Sequence, residues 1–325
     1  MSKVVCLGIT VVDVIAKSVD IIPDKGKLSL VDKIQLHTGG CAVNAAIDLA
    51  KLGEEVAVVG LVGRDGFGEF LINSLKAHGV NTDGIKTTYQ TSTSTSVVLS
   101  NSDGERSFIH CLGANGIMTL EDIDFKEIEK CEVLFVAGAL LMPSLDGEPT
   151  AEILRRAKEM NKYTILDTAW DSTGRWMKAI TPCLPYLDLF IPSIEEAQML
   201  SGIEDEKEIA KIFLELGAKN VVIKLGDKGC YIKNKTEEHY VKGYEVEVVD
   251  TNGAGDSFVA GFITGLVNGW DLKKCGNFAN AVGAHCVMAV GASNGIKSKD
   301  EILNFINKPY KMKICGGNFN EIRRN

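Results

Sequence analysis

Asp250-Thr-Asn-Gly-Ala-Gly-Asp-Ser-Phe-Val-Ala-Gly261 decides how this chain is read. The apolar pair Val248 and Val249 before it predicts the end of a buried strand, and Phe258, Phe262 and Leu266 after it fall on one side of a helix. Gly261 and Gly265, four residues apart, would let that helix approach a neighbour closely. Between strand and helix, Gly253-Ala-Gly255 is small enough for backbone N–H groups to converge on an anion at the helix N-terminus. Such donors suit phosphoryl transfer, in which negative charge spreads over the transferred oxygens. Asp256 falls in the first helical turn, where the helix dipole favours its ionised form, so it is the candidate general base.

Two other phosphate motifs fail. Gly291-Ala-Ser-Asn-Gly-Ile-Lys-Ser298 has isoleucine where a Walker A loop needs its second glycine. At Gly253, the third glycine of G-x-G-x-x-G is replaced by Phe258.

Outward from this turn, short apolar runs alternate with amphipathic stretches. Strands are expected at 4–8, 55–60, 133–137, 163–167, 187–192 and 220–225, and helices at 42–52, 67–78, 151–161, 194–201 and 207–216. That alternation predicts an α/β fold with a mostly parallel sheet and helices on both faces. Residues 11–37 lack a helical period, and 95–99 with 106–111 read as a hairpin turned at Asn101-Ser-Asp-Gly104. Together, about 11–37 and 91–112 predict a small extra sheet serving as a lid or subunit contact on a single domain spanning 1–325.

The chain has 325 residues, is 45% hydrophobic, and carries 33 glycines and a net charge of −8, which suits a globular domain and argues against a nucleic-acid partner. Its nine cysteines are scattered without a C-x-x-C pair, which points to neither a disulfide framework nor zinc but to a reducing, cytoplasmic setting. No stretch reads as a membrane span.

With Asp250-Thr-Asn-Gly-Ala-Gly-Asp256, Gly39-Gly-Cys-Ala-Val-Asn44 and Gly63-Arg-Asp-Gly-Phe-Gly68, the chain resembles the ribokinase-type (PfkB) family of carbohydrate kinases over about residues 3–308. The resemblance implies a three-layer ribokinase-like fold with a β-lid, ATP and Mg²⁺, and transfer of the γ-phosphoryl group to a hydroxyl of a small sugar-like substrate. It makes Asp256 the base and Asn252–Gly255 (with Gly253, Ala254 and Gly255) the anion hole. Asp13, Gly39, Gly40 and Asn44 then bind the sugar; a carboxylate and an amide can each pair two neighbouring hydroxyls. Lys224, Gly226 and Gly229 look like the nucleotide loop, with Ser193 and Asn280 also on the nucleotide side. Glu196 would hold Mg²⁺ through water, and Asp250 a monovalent cation such as K⁺, with carbonyls around 286–295. A homodimer paired through the lids is also expected.

Two departures stand out. The family's N-x-x-E is Ser193-Ile-Glu-Glu196 here, a pattern that is equally a helix capping box. The D-x-N-x-R of many fructose- and ketodeoxygluconate-type relatives is Asp167-Thr-Ala-Trp-Asp171, without its Asn and Arg; Arg175 is the candidate replacement. A nucleoside kinase, drawing on Phe108 and His110, is the nearest alternative. A sugar-phosphate kinase using Lys17, Lys25, Lys27, Lys33 and Arg106 and a non-catalytic sugar-binding regulator are the others.

Overall fold

The computed structural model describes residues 3–101 and 106–307. The strands in chain order are β1 (Val4–Gly8), β2 (Val11–Lys17), β3 (Lys33–Gly39), β4 (Val56–Gly63), β5 (Asn81–Thr88), β6 (Thr95–Ser100), β7 (Arg106–Cys111), β8 (Val133–Ala139), β9 (Tyr163–Thr168), β10 (Leu189–Phe190), β11 (Asn220–Lys224), β12 (Cys230–Asn234) and β13 (Glu238–Val241). Nine of them form the main sheet in the order β13-β12-β11-β10-β9-β8-β1-β4-β5. From β5 to β11 every pairing is parallel, and β12 and β13 add an antiparallel edge.

The apolar runs β1, β4 and β8 are buried throughout because both sheet faces are covered, so polar alternation has no place in them. Along β1, Val4 and Cys6 point into one core, shared with the helices Cys41–Lys51, Ala254–Val267 and Leu272–Val287. Val5 and Leu7 point into the other, shared with Glu148–Glu159, Ile194–Ser201 and Glu206–Glu215. These are the three layers, helix–sheet–helix.

A second sheet has the order β3-β2-β6-β7. The crossing from β1 to β2 is fixed by Asn115, whose amide accepts from Thr10 N at 3.1 Å and donates to Thr10 O at 3.0 Å. Asp65, in the recurring Gly63–Gly68 segment, caps the helix Gly66–Ala77 by accepting from Gly68 N at 2.9 Å. The same carboxylate accepts from Thr93 N at 2.8 Å and so anchors the entry to β6. The expected turn at 102–104 lies outside the described residues.

Some expectations need correction. Residues 242–250 form no strand, and Val248 and Val249 are more than half exposed. Their backbone is tied instead to the end of the Leu272–Val287 helix, through Val249 N to Val287 O at 2.7 Å. The strand expected over 187–192 is two residues long, though backbone bonds to both neighbours continue beyond it, with Asp188 N donating to Thr164 O at 3.0 Å and Asn220 N to Asp188 O at 3.1 Å. β5, β12, β13 and the Leu272–Val287 helix were not anticipated; β5 is polar and half exposed, and lacks the apolar run that marks a buried strand. The glycine pair does allow a close approach: a Cβ on Gly261 would meet Ala279 Cα at 2.9 Å, and one on Gly265 would meet Cys275 Cα at 3.1 Å, so the two helices pack nearly backbone to backbone.

Candidate active site

The helix Ala254–Val267 begins at Gly253, whose φ of 79° is the left-handed conformation that favours glycine. A Cβ there would lie 2.5 Å from the Ala292 carbonyl oxygen, so the turn is pressed against the 291–294 loop. Asp250 joins the same two pieces, accepting from Asn252 N at 3.0 Å and from Gly291 N at 2.9 Å. The side-chain carboxylate thus ties two stretches of backbone together, a structural role that exists whether or not a cation lies nearby.

Asp256 occupies the first turn of this helix, and Asn44 Nδ2 donates to its Oδ2 at 2.9 Å across 212 residues of sequence. Withdrawal from water pushes the Asp256 carboxyl above the ordinary carboxylate range; Asn44, Lys224 and Cys41 pull it back, and the charge of Glu196 adds to the rise. The helix dipole favours the opposite direction, but desolvation outweighs it. A carboxylate raised in this way is a better proton acceptor at neutral pH than an exposed one.

Asn44 lies on the helix Cys41–Lys51, which starts at Gly40 with φ 90°. A Cβ at Gly40 would lie 2.5 Å from Ile9 O, and Gly39 is so close to Asp13 that its missing side chain is where the Asp13 carboxylate sits. The two glycines therefore bring β2 and this helix start together. A cleft between the second sheet and the 291–294 loop is lined by Asp13, His37, Asn44 and Asn252 among others. Across the sheet, His37, Asp13, Ser96 and His110 are paired in one row, with Ser96 Oγ 3.0 Å from His110 Nδ1. Burial raises the Asp13 carboxyl, opposed by Ser96 and the two histidines.

On the other side of the turn, the ends of three strands converge. Lys224, the last residue of β11, holds both oxygens of Asp167 at 2.8 and 2.6 Å. Burial alone would lower the Lys224 ammonium, but Asp167, Glu196 and Asp256 together hold it above the ordinary lysine value. Ser193 and Glu196 form the reciprocal capping box, with Ser193 N donating to Glu196 Oε2 at 3.0 Å; Thr168 Oγ1 donates to the same oxygen at 3.0 Å. Gly226 and Gly229 bracket a tight turn after β11, both with positive φ. Asn280 donates to Val241 O at 3.0 Å and Lys242 O at 3.2 Å, so its amide ties down the segment after β13.

Residues 1–299 match the model of a family described as pfkB family carbohydrate kinase. The chain belongs to that family. It is similar to an uncharacterized sugar kinase of Archaeoglobus fulgidus, 31% identical over 248 residues that cover 76% of this chain and 97% of that protein. The ribokinase of Haemophilus influenzae is 28% identical over 277 residues, covering 84% of this chain and 88% of its own. The structure of Arabidopsis thaliana ribokinase complexed with ribose and ATP resembles this one with a TM-score of 0.83 at 25% identity, covering 95% of this chain and all of that one. The protein is thus a phosphotransferase of the carbohydrate kinase class with the ribokinase fold.

In this kinase Arg175 does not turn to the site. Its guanidinium donates to Asp146 Oδ2 and to Leu140 O, both at 2.9 Å. Asp171 is engaged in its own turn, accepting from Thr173 N at 2.8 Å and Trp176 N at 2.7 Å. Cys41, beside Asp256, escaped the sequence reading although it stands inside Gly39-Gly-Cys-Ala-Val-Asn44; a thiol gives no signal of partnering a carboxylate 215 positions away. Among the described residues no group of three or more His, Cys, Asp or Glu is arranged to hold a metal ion, and no helix is long and apolar enough to cross a membrane.

Proposed function

We propose that this kinase transfers the γ-phosphoryl group of ATP to a hydroxyl of a small sugar or sugar-like molecule, with Asp256 as general base. The observation that carries the proposal is the Asn44–Asp256 hydrogen bond of 2.9 Å, which joins a carboxylate of raised proton affinity to the cleft lined by Asp13. The Asp13 carboxylate and the Asn44 amide orient the acceptor by pairing with its hydroxyls. Asp256 takes the proton of the attacking hydroxyl as its oxygen bonds to phosphorus. The N–H groups of the turn at Gly253, Ala254 and Gly255, which a helix start leaves without helical acceptors, stabilise the phosphoryl oxygens.

The glycine turn at 226–229 and the segment tied by Asn280 fit the nucleotide side, next to Ser193 and Lys224. Glu196 fits a Mg²⁺-bound water: its Oε2 takes the cap and Thr168 contacts, which orient the carboxylate. Mg²⁺ entering with the nucleotide supplies charge neutralisation on the phosphates. Asp250 and the 286–295 carbonyls are the proposed place for a monovalent cation such as K⁺. The second sheet acts as a lid whose closure over the cleft excludes water and limits wasteful ATP hydrolysis. Its opposite face, where Leu36, Val14, Val97 and Ile109 are paired in a row with Leu36 and Ile109 exposed, is the proposed homodimer contact. The scattered, unpaired cysteines support a cytoplasmic setting.

The test is substrate-dependent ADP release over a panel of sugars, sugar acids, polyols and nucleosides, with wild type and Asp256→Asn. Turnover of the variant should fall by about 10²–10⁴-fold, with nucleotide and acceptor affinities near wild type. Unchanged turnover would remove Asp256 as base; no ADP release with any acceptor would favour a sugar-binding regulator. A second acceptor class, nucleosides, is favoured by Phe108, 65% exposed on the Asp13 face and able to stack on a base. Preferential turnover of nucleosides in the panel would select it.

A further inference from the structure

Lys224 is an unusual residue to find beside a phosphate turn that also gathers three carboxylates. A side chain built on Gly255 would meet Lys224 Nζ at 3.5 Å and no other group outside its own turn within 4 Å. The ammonium therefore stands directly against the open side of the anion hole. Its backbone is fixed as well, because Lys224 N donates to Pro192 O at 3.0 Å. Its side chain is 12% exposed and that of Asp167 4%.

Two further observations point the same way. An ammonium has three donors; Asp167 takes bonds at 2.8 and 2.6 Å, which leaves capacity for a third acceptor beside Gly255. Two other candidate cations are engaged elsewhere: Arg175 on Asp146 and Leu140 O, and Lys51 on Ser293 O at 2.7 Å. Burying an ion pair brings little net stability compared with an apolar pair of the same volume, so packing alone does not explain a lysine here.

We infer that Lys224 is the cation that contacts the terminal phosphoryl group of the nucleotide, with Asp167 as the positioning residue that holds it against Gly255. This rests on the proposed kinase reaction and extends it: a positive charge beside the turn is supplied by the end of β11. Lys224 contributes one point charge and one hydrogen bond to an oxygen of the group in transit, stabilising the transition state as charge spreads over that oxygen.

The experiment compares two probes by calorimetric titration, a non-hydrolysable ATP analogue and ADP, each with Mg²⁺ and without acceptor. The proteins are wild type, Lys224→Met and the double variant Lys224→Met/Asp167→Asn. The double variant leaves no unpaired carboxylate at 167 and keeps the test valid if the single variant does not fold. In both variants the ATP analogue should bind at least about ten-fold more weakly while ADP changes by less than about two-fold. Equal weakening of both probes, or no weakening of either, overturns the assignment. The base assignment is read from the turnover of Asp256→Asn and this one from the ratio of the two affinities in the Lys224 variants, so failure of one and failure of the other are separable.

Discussion

Two alanine substitutions two residues apart should fail for opposite reasons. Gly253 has φ 79°, and a Cβ there would lie 2.5–2.6 Å from the O, Cα and Cβ of Ala292. Forcing an L-residue into the left-handed region costs about 1–2 kcal/mol. Overpacking against the Ala292 backbone, which cannot rotate away as a side chain would, adds about 1–3 kcal/mol. Gly253→Ala should therefore lose about 2–5 kcal/mol, or roughly 3–7 °C in Tm for a chain of this size. Gly255 is different: its Cβ would meet only Lys224 Nζ, at 3.5 Å, an ordinary contact. Gly255→Ala should keep its Tm within about 1 °C, the result of a substitution near no packed group. It should nevertheless lose at least about 10²-fold in kcat, because a methyl group would occupy the approach to the anion hole. Thermal melts beside ADP-release kinetics separate the two. A Gly255→Ala enzyme with wild-type kcat would refute the placement of the phosphoryl group, and an undiminished Tm for Gly253→Ala would refute the contact with Ala292.

Asp48 is fully buried, accepts from Ser257 Oγ at 2.5 Å, and has its carboxyl pushed up to about 7, chiefly by burial. A raised folded-state value means that folding takes up a proton, so this group's stabilisation is full below about pH 4 and is lost as pH rises through about 7. Each pH unit in that window contributes about 1.4 kcal/mol. Asp48→Asn keeps an acceptor for Ser257 and should flatten the fall in Tm between pH 5 and pH 8; parallel profiles for variant and wild type would count against it. On the second sheet, Ile109→Glu should convert a dimer to a monomer by light scattering without reducing turnover, since Ile109 faces away from the Asp13 row. A wild-type mass of one subunit at all working concentrations would rule out the lid contact.

What was legible in the chain was local. The glycine turn and the helix behind it, the Gly39-Gly40 helix start, and the buried strands β1, β4 and β8 all announce themselves through periodicity and small residues, which act over one or two turns of backbone. The capping box at Ser193–Glu196 was equally readable, and it forms. No strand forms before Gly253 because Val248 and Val249 have β character but find no sheet neighbour; Val249 N donates to Val287 O at a helix end instead.

The electrostatics of the site lay beyond any window of sequence. Asn44 reaches Asp256 across 212 residues, and Lys224 reaches Asp167 across 57. Both pairs exist because a parallel sheet brings the carboxyl ends of distant strands, and the helix starts beside them, to one edge. Residue types along the chain named a candidate base, a candidate phosphate turn and the family of the chain. Folding decided which amide, thiol and ammonium surround that base, and it moved the proton affinity of Asp256 upward where the local helix dipole would have lowered it, because desolvation is a property of the assembled site.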